Sequence, residues 1–163
     1  MAQTTVQYDS GNTTNSGIFP SLSGCCWGNL FTGLVPSATI SKVTFYVSSN
    51  PGVNIIHFRE NGNDPVDDFS TVYNSGGFLP GWKVKTLAAN FVFAGTDVFV
   101  GLNAYNTNGM PLDTVEFNGR GFHAWRASTV GMPITFGGNP ANYLLRITGP
   151  GDLPVELQFF SVD

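Results

Sequence analysis

SKVTFYVSS, residues 41–49, sets the structural period of the chain. Val43, Phe45 and Val47 fall on one side and Lys42, Thr44 and Tyr46 on the other, which is the two-residue repeat of a half-buried β-strand. The same alternation returns in GTDVFVGLNAY (95–105), with Val98, Val100 and Leu102 directed inward. It returns again in NYLLRITG (142–149), where Tyr143, Leu145 and Ile147 oppose Leu144, Arg146 and Thr148. No window carries apolar residues at helical spacing for three turns without a Gly, Pro or Asn cluster interrupting it, so helices are not expected.

Weaker strand signals cover 4–8, 25–32, 53–60, 82–88, 90–94, 113–118, 122–128 and 154–162. They are separated by turn-forming stretches such as SSNPG, ENGNDP, NSGG, FAGTD, NTNGMP, NGRG and FGGNPAN. About ten closely spaced strands predict an all-β protein, an antiparallel two-sheet β-sandwich of jelly-roll-like form. The connections 62–81 and 128–142 are the expected crossings between sheets. At 163 residues the chain is long enough for one self-sufficient core. Residues 1–149 are read as a single β-sandwich domain and 150–163 as a C-terminal strand or linker segment.

Only 11% of residues are charged, against about 25% in an ordinary soluble protein. The surface must therefore be polar yet mostly neutral. Seven Lys plus Arg stand against eleven Asp plus Glu, a net charge of -4, and no run of bases along the sequence could neutralise a phosphate backbone. Nucleic acid is not an expected partner. No apolar run approaches the length of a membrane span, so no membrane insertion is expected either. The start MAQTTVQYDS has neither a basic n-region nor an apolar h-region, but AQTTVQ is what would remain after cleavage behind a small residue, with Met1 as an added initiator.

Taken in order, QYDSGN, WGNLFTGLVPSATISKVTFYVSS, VNIIHFRENGNDP, GWKVKTLAANFVFAGTDVFVGL, FNGRGFHAW and NYLLRITG resemble the successive blocks of a jelly-roll-like accessory domain of secreted bacterial proteins. The resemblance covers roughly residues 7–149. The tail LPVELQFFSVD separately resembles the Leu-Pro-Val-Glu-Leu segment that precedes sorting or sandwich modules in exported bacterial proteins. Both resemblances imply an extracellular, secreted or cell-surface location, and neither implies an activity. At the acidic loop the family usually carries a run of Asp before Gly, and this chain departs from that pattern.

The loop instead offers Glu60, Asn61, Asn63, Asp64, Asp67 and Asp68. Carboxylates and amide carbonyls are the hard oxygen ligands that calcium takes, which makes Glu60, Asn61, Asp64, Asp67 and Asp68 the candidate metal ligands. A solvated turn with Asx hydrogen bonds accounts for the same residues. No other cofactor is expected. Cys25 and Cys26 are adjacent, and neighbouring Cα atoms about 3.8 Å apart sit closer than an ordinary disulfide prefers. Structural thiols, a vicinal ring and an intermolecular bridge all remain open.

Trp27, Trp82 and Trp125 suit a sandwich core; the sharper reading is that one or two of them form an exposed platform on which the C–H face of a sugar ring stacks. In GRGFHAWRAS, His123 and Trp125 share one face of the predicted strand while Phe122, Ala124 and Arg126 share the other. The candidate ligand-binding set is Trp125, His123, Arg126, Tyr105 and Trp82, with Tyr46 as a further ring. With two histidines and none of the H-E-x-x-H, G-x-S-x-G or P-loop motifs, the chain is not expected to be an enzyme. The sequence therefore points to a secreted, non-catalytic module that binds a polysaccharide or cell surface through aromatics and neutral polar loops. The alternative is a structural subunit that assembles with copies of itself by strand pairing, its tail donating Val155, Leu157 and Phe159 to a neighbour's sheet.

Overall fold

The computed structural model describes residues 3–13, 17–20, 27–47, 54–60, 69–73, 80–103, 108–113, 115, 119, 121–123, 132–151 and 153. In chain order the strands are β1 (Gln3–Gln7), β2 (Gly17–Pro20), β3 (Trp27–Phe31), β4 (Thr39–Val47), β5 (Asn54–Glu60), β6 (Phe69–Tyr73), β7 (Gly81–Val92) and β8 (Val98–Asn103). They continue as β9 (Asn108–Asp113), β10 (Gly121–His123), β11 (Met132–Pro133), β12 (Thr135–Phe136), β13 (Asn139–Pro140), β14 (Asn142–Tyr143) and β15 (Leu145–Pro150). The described residues contain no helix.

Two sheets carry the architecture. A four-stranded sheet runs β1-β15-β4-β7 and a six-stranded sheet runs β11-β10-β3-β8-β5-β6, with a three-stranded sheet β14-β9-β2 and the short pair β12–β13 beside them. Every pairing is antiparallel. Among β1, β3, β4, β5, β6, β7, β8 and β15, the first pairs with the last, the second with the seventh, the third with the sixth and the fourth with the fifth. A chain folded on itself as one long hairpin and then rolled produces this order, which is that of a jelly roll.

Alternation explains the core. Val43, Phe45 and Val47 from β4, Leu145 and Ile147 from β15, and Val98, Val100 and Leu102 from β8 are all buried between the sheets. Aromatic rings bridge the two layers, with Phe45 edge-on to Tyr73 at 5.2 Å and Phe58 against Phe91 at 5.0 Å between centroids. Such pairs add to the area they bury. β15 runs to Pro150, and Leu153 joins the same cluster.

Several elements differ from their predicted form. The segments 82–88 and 90–94 become one strand, β7, because a register shift lets Leu87 to Asn90 stand opposite the single Ser41. This bulge keeps both Leu87 and Phe91 buried. The stretch read as the turn NTNGMP enters β9, which reaches Asp113 through Pro111. Proline is tolerated there because β14 pairs with Leu112 and Asp113 only, so Pro111 has a ladder partner, Ile18, on one side alone. Within 62–81, β6 returns to pair with β5 in the same sheet, so the crossing comes after it. The predicted strand 154–162, Cys25 and Cys26 lie outside the described residues, and only Phe122 and His123 of the predicted 122–128 strand are described.

Candidate functional site

The outer face of the four-stranded sheet gathers the most chemically equipped side chains. Registers place Gln7 opposite Arg146, Arg146 opposite Thr44, Thr44 opposite Val84, and Tyr46 opposite Trp82. Directly opposed residues of antiparallel strands lie on one face. Tyr46 and Trp82 meet edge-to-face, with ring centroids 5.6 Å apart. The Arg146 guanidinium carbon stands 4.2 Å from the centroid of the Trp82 ring, close enough for a cation–π contact. All three side chains are half-buried.

Asp9 pins the guanidinium from the other side. Arg146 Nε donates to both Asp9 oxygens at 3.1 Å and Nη2 donates to Oδ1 at 2.5 Å. The Asp9 side chain is fully buried while that of Arg146 is 22% exposed. A buried carboxylate needs such compensation, since an unpaired one would carry its full desolvation cost. Asp9 Oδ1 also accepts from the Gly11 amide at 3.0 Å, an Asx turn that closes over the pair. Gly11 has φ of 75°, and a Cβ there would stand 3.1 Å from Arg146 Nη2, so the position calls for glycine twice over.

The QYDSGN segment is therefore a clamp. Tyr8 stacks on Phe31 at 5.2 Å and its hydroxyl accepts from the Thr32 amide at 3.1 Å. Both the Ser10 amide and its hydroxyl donate to the Asp113 carboxylate. Asn142 Nδ2 donates to the Tyr8 carbonyl at 2.9 Å. Nearby, Asn29 on β3 ties the two sheets together. Its amide nitrogen donates to the Tyr143 and Leu145 carbonyls at 2.9 and 3.2 Å, and its Oδ1 accepts from the Tyr143 amide at 2.9 Å. Tyr143 itself is buried against Trp27, its hydroxyl has no hydrogen-bond partner among the described residues, and burial holds its phenol well above the ordinary value of 10.0.

Of the residues singled out from sequence, Trp82 and Tyr46 are brought together on this face. His123 lies on β10 of the six-stranded sheet, paired with Trp27 and Met132, and so belongs to the other layer. Trp125, Arg126 and Tyr105 lie outside the described residues. Of the acidic-loop set, Glu60 ends β5 and its Oε2 accepts from the Ala94 amide at 3.0 Å, bracing the turn before β8. Asn61, Asp64, Asp67 and Asp68 lie outside the described residues. Among the described residues no three His, Cys, Asp or Glu side chains are grouped to hold a metal ion.

Sequence reasoning missed Arg146 and Asp9 as members of this site. They are 137 positions apart, and their only local signal was an arginine on the polar side of an alternating strand. Chemically the cluster offers two rings with polar rims and a guanidinium held in one orientation. Asp9 takes Nε and Nη2, and Nη1 is not among those bonds. No protein-family model matches this chain, and neither do any curated protein or solved structure.

Proposed function

We propose that this chain is a secreted, non-catalytic β-sandwich module that binds a polysaccharide or cell-surface glycan on the outer face of its four-stranded sheet. One observation carries the reading: Tyr46, Trp82 and Arg146 form a single cluster on a solvent-facing sheet surface. A pyranose presents an apolar C–H face to an aromatic ring and a rim of hydroxyls to polar groups beside it. Here the tyrosine hydroxyl, the indole N–H and Arg146 Nη1 supply that rim. The clamp from Asp9 lowers the entropy lost when Arg146 engages a ligand, because its orientation is already set. The extracellular location rests on the resemblance to secreted accessory domains.

Retention on a panel of immobilised glycans tests this directly. Trp82→Ala should abolish retention while moving the melting temperature little, since the side chain is only half-buried. A wild-type chain that is silent across the panel would end the proposal. The assembly reading draws on β7, which at twelve residues is the longest strand and pairs on one side only among the described residues. Lys83 and Lys85 on that edge act against it, because charged residues blunt exposed strand edges. Concentration-dependent light scattering separates the two readings.

A further inference from the structure

Ring geometry limits what the Tyr46–Trp82 pair can hold. The two planes stand 72° apart, so a flat chain lying along the sheet can be parallel to one ring at most. The edge-to-face contact also sets the edge of one ring on the face of the other, and the Arg146 guanidinium covers part of the Trp82 ring at 4.2 Å. Moving that guanidinium aside to widen the platform would strip the buried Asp9 carboxylate of its ion pair. No second platform continues the first. The strands β1, β15, β4 and β7 contain two further aromatic residues, Phe45 and Phe91, and both are buried in the core between the sheets. The face is also closed beyond Tyr46. Leu144, whose carbonyl accepts from the Tyr46 amide at 3.0 Å, is fully buried without belonging to that core cluster. On the other side of the ring pair the next outward residue of β7 is Val84, 55% exposed and without a ring to stack on.

From this geometry we infer that the site holds a single pyranose unit, displayed at a chain end or as a branch, and not a run of consecutive units. The inference rests on the glycan-binding reading above and narrows its substrate class. One sugar ring lies on one aromatic face, and its hydroxyls meet Arg146 Nη1 and the polar tips of the two rings. The remainder of the chain points away from the sheet and adds no stacking contact. Selectivity then resides in the hydroxyl pattern of one unit, and affinity does not grow with the length of the polymer that carries it.

The test compares a monosaccharide with its own oligomer. The probes are the methyl glycosides of glucose, mannose, galactose and N-acetylglucosamine, their β-1,4-linked hexasaccharides, and the corresponding pair for any other polymer retained on the glycan panel. For the intact chain, ligand-observed NMR titration should give monosaccharide and hexasaccharide affinities less than about tenfold apart for the sugar that binds. Trp82→Ala and Tyr46→Ala should each remove both, so the reading survives if one variant fails to fold. A hexasaccharide bound about tenfold or more tightly than its monosaccharide overturns the single-unit inference and leaves the glycan reading standing. So does a polymer retained on the panel whose monosaccharide does not bind. Binding undiminished in both folded variants places the sugar elsewhere and overturns the inference. Absence of binding to every probe and every polymer overturns both readings.

Discussion

The two main sheets share one apolar interior but differ on their outward faces. On the four-stranded sheet Thr44, Tyr46, Trp82 and Arg146 are half-buried and Val84 is 55% exposed, so that face is open surface. On the six-stranded sheet the equivalent outward positions are covered, with Phe99 1%, Arg59 2% and His57 3% exposed. Registers confirm that these three share a face, since His57 stands opposite Gly101 and Arg59 opposite Phe99, while Ile56 and Phe58 point into the core. Phe99 is accordingly buried without belonging to the cluster between the sheets. A sandwich with one covered and one open flank has one flat, accessible surface, and the aromatic–arginine cluster is on it.

The largest effect should come from the covered flank. Phe99→Ala should cost about 3–5 kcal/mol of unfolding free energy by urea titration, the scale of a deleted core aromatic, although the residue faces away from the shared core. A cost under about 1 kcal/mol would mean that this flank is as open as the other.

Next comes the clamp that organises the open flank. Asp9→Ala removes the anionic partner of Arg146 among the described residues and frees the Asx turn, and it should destabilise by about 2–3 kcal/mol. It should also weaken glycan retention, because Arg146 then leaves the Trp82 ring. Retention unchanged in Asp9→Ala would show that the arginine's orientation does not matter to binding.

A smaller effect of opposite sign is expected at Tyr143, where a buried hydroxyl has no hydrogen-bond partner among the described residues. Tyr143→Phe should raise stability by about 1 kcal/mol at neutral pH. Its pH dependence follows from the raised phenol. The stabilisation from keeping the phenol protonated is present below the ordinary value of 10.0 and is lost as pH rises above it, because the unfolded tyrosine ionises there while the folded one does not. Stability of the wild type should therefore fall more steeply above that value than stability of Tyr143→Phe, as urea midpoints across alkaline pH would read. A destabilised Tyr143→Phe would show that the hydroxyl has a partner after all.

The smallest effect belongs to the open flank itself. Val84→Thr should change stability by no more than about 0.5 kcal/mol, as an exposed strand residue exchanged for another β-branched one. A larger loss would close the contrast between the flanks from the other side.

How legible these features were depended on whether their cause is local. β4 and β15 could be read because a half-buried strand writes its period into every second residue. β7 was divided in two because Leu87 to Asn90 break that period, and the bulge that absorbs them is decided by the partner strand. β9 was hidden by Gly109 and Pro111, which signal a turn unless the neighbouring strand stops short of the proline, as β14 does. Trp82 and Tyr46 were recognisable as ring types suited to a platform. Their union with Arg146 was not, since β4 and β15 alternate identically whether or not they are neighbours.

By itself, then, the sequence determined an all-β class, the inward sets on β4, β8 and β15, and a sparsely charged surface, because residue type and period act over a few positions. Only the tertiary structure decided which sheet each strand joined. Rolling the long hairpin put the first strand beside the last and the last beside β4, with β7 on the far side of β4, although nothing local encodes that adjacency. That pairing order brought Tyr46, Trp82 and Arg146, scattered from position 46 to position 146, onto one face. Such a face exists only after long-range pairing has chosen which distant residues stand side by side.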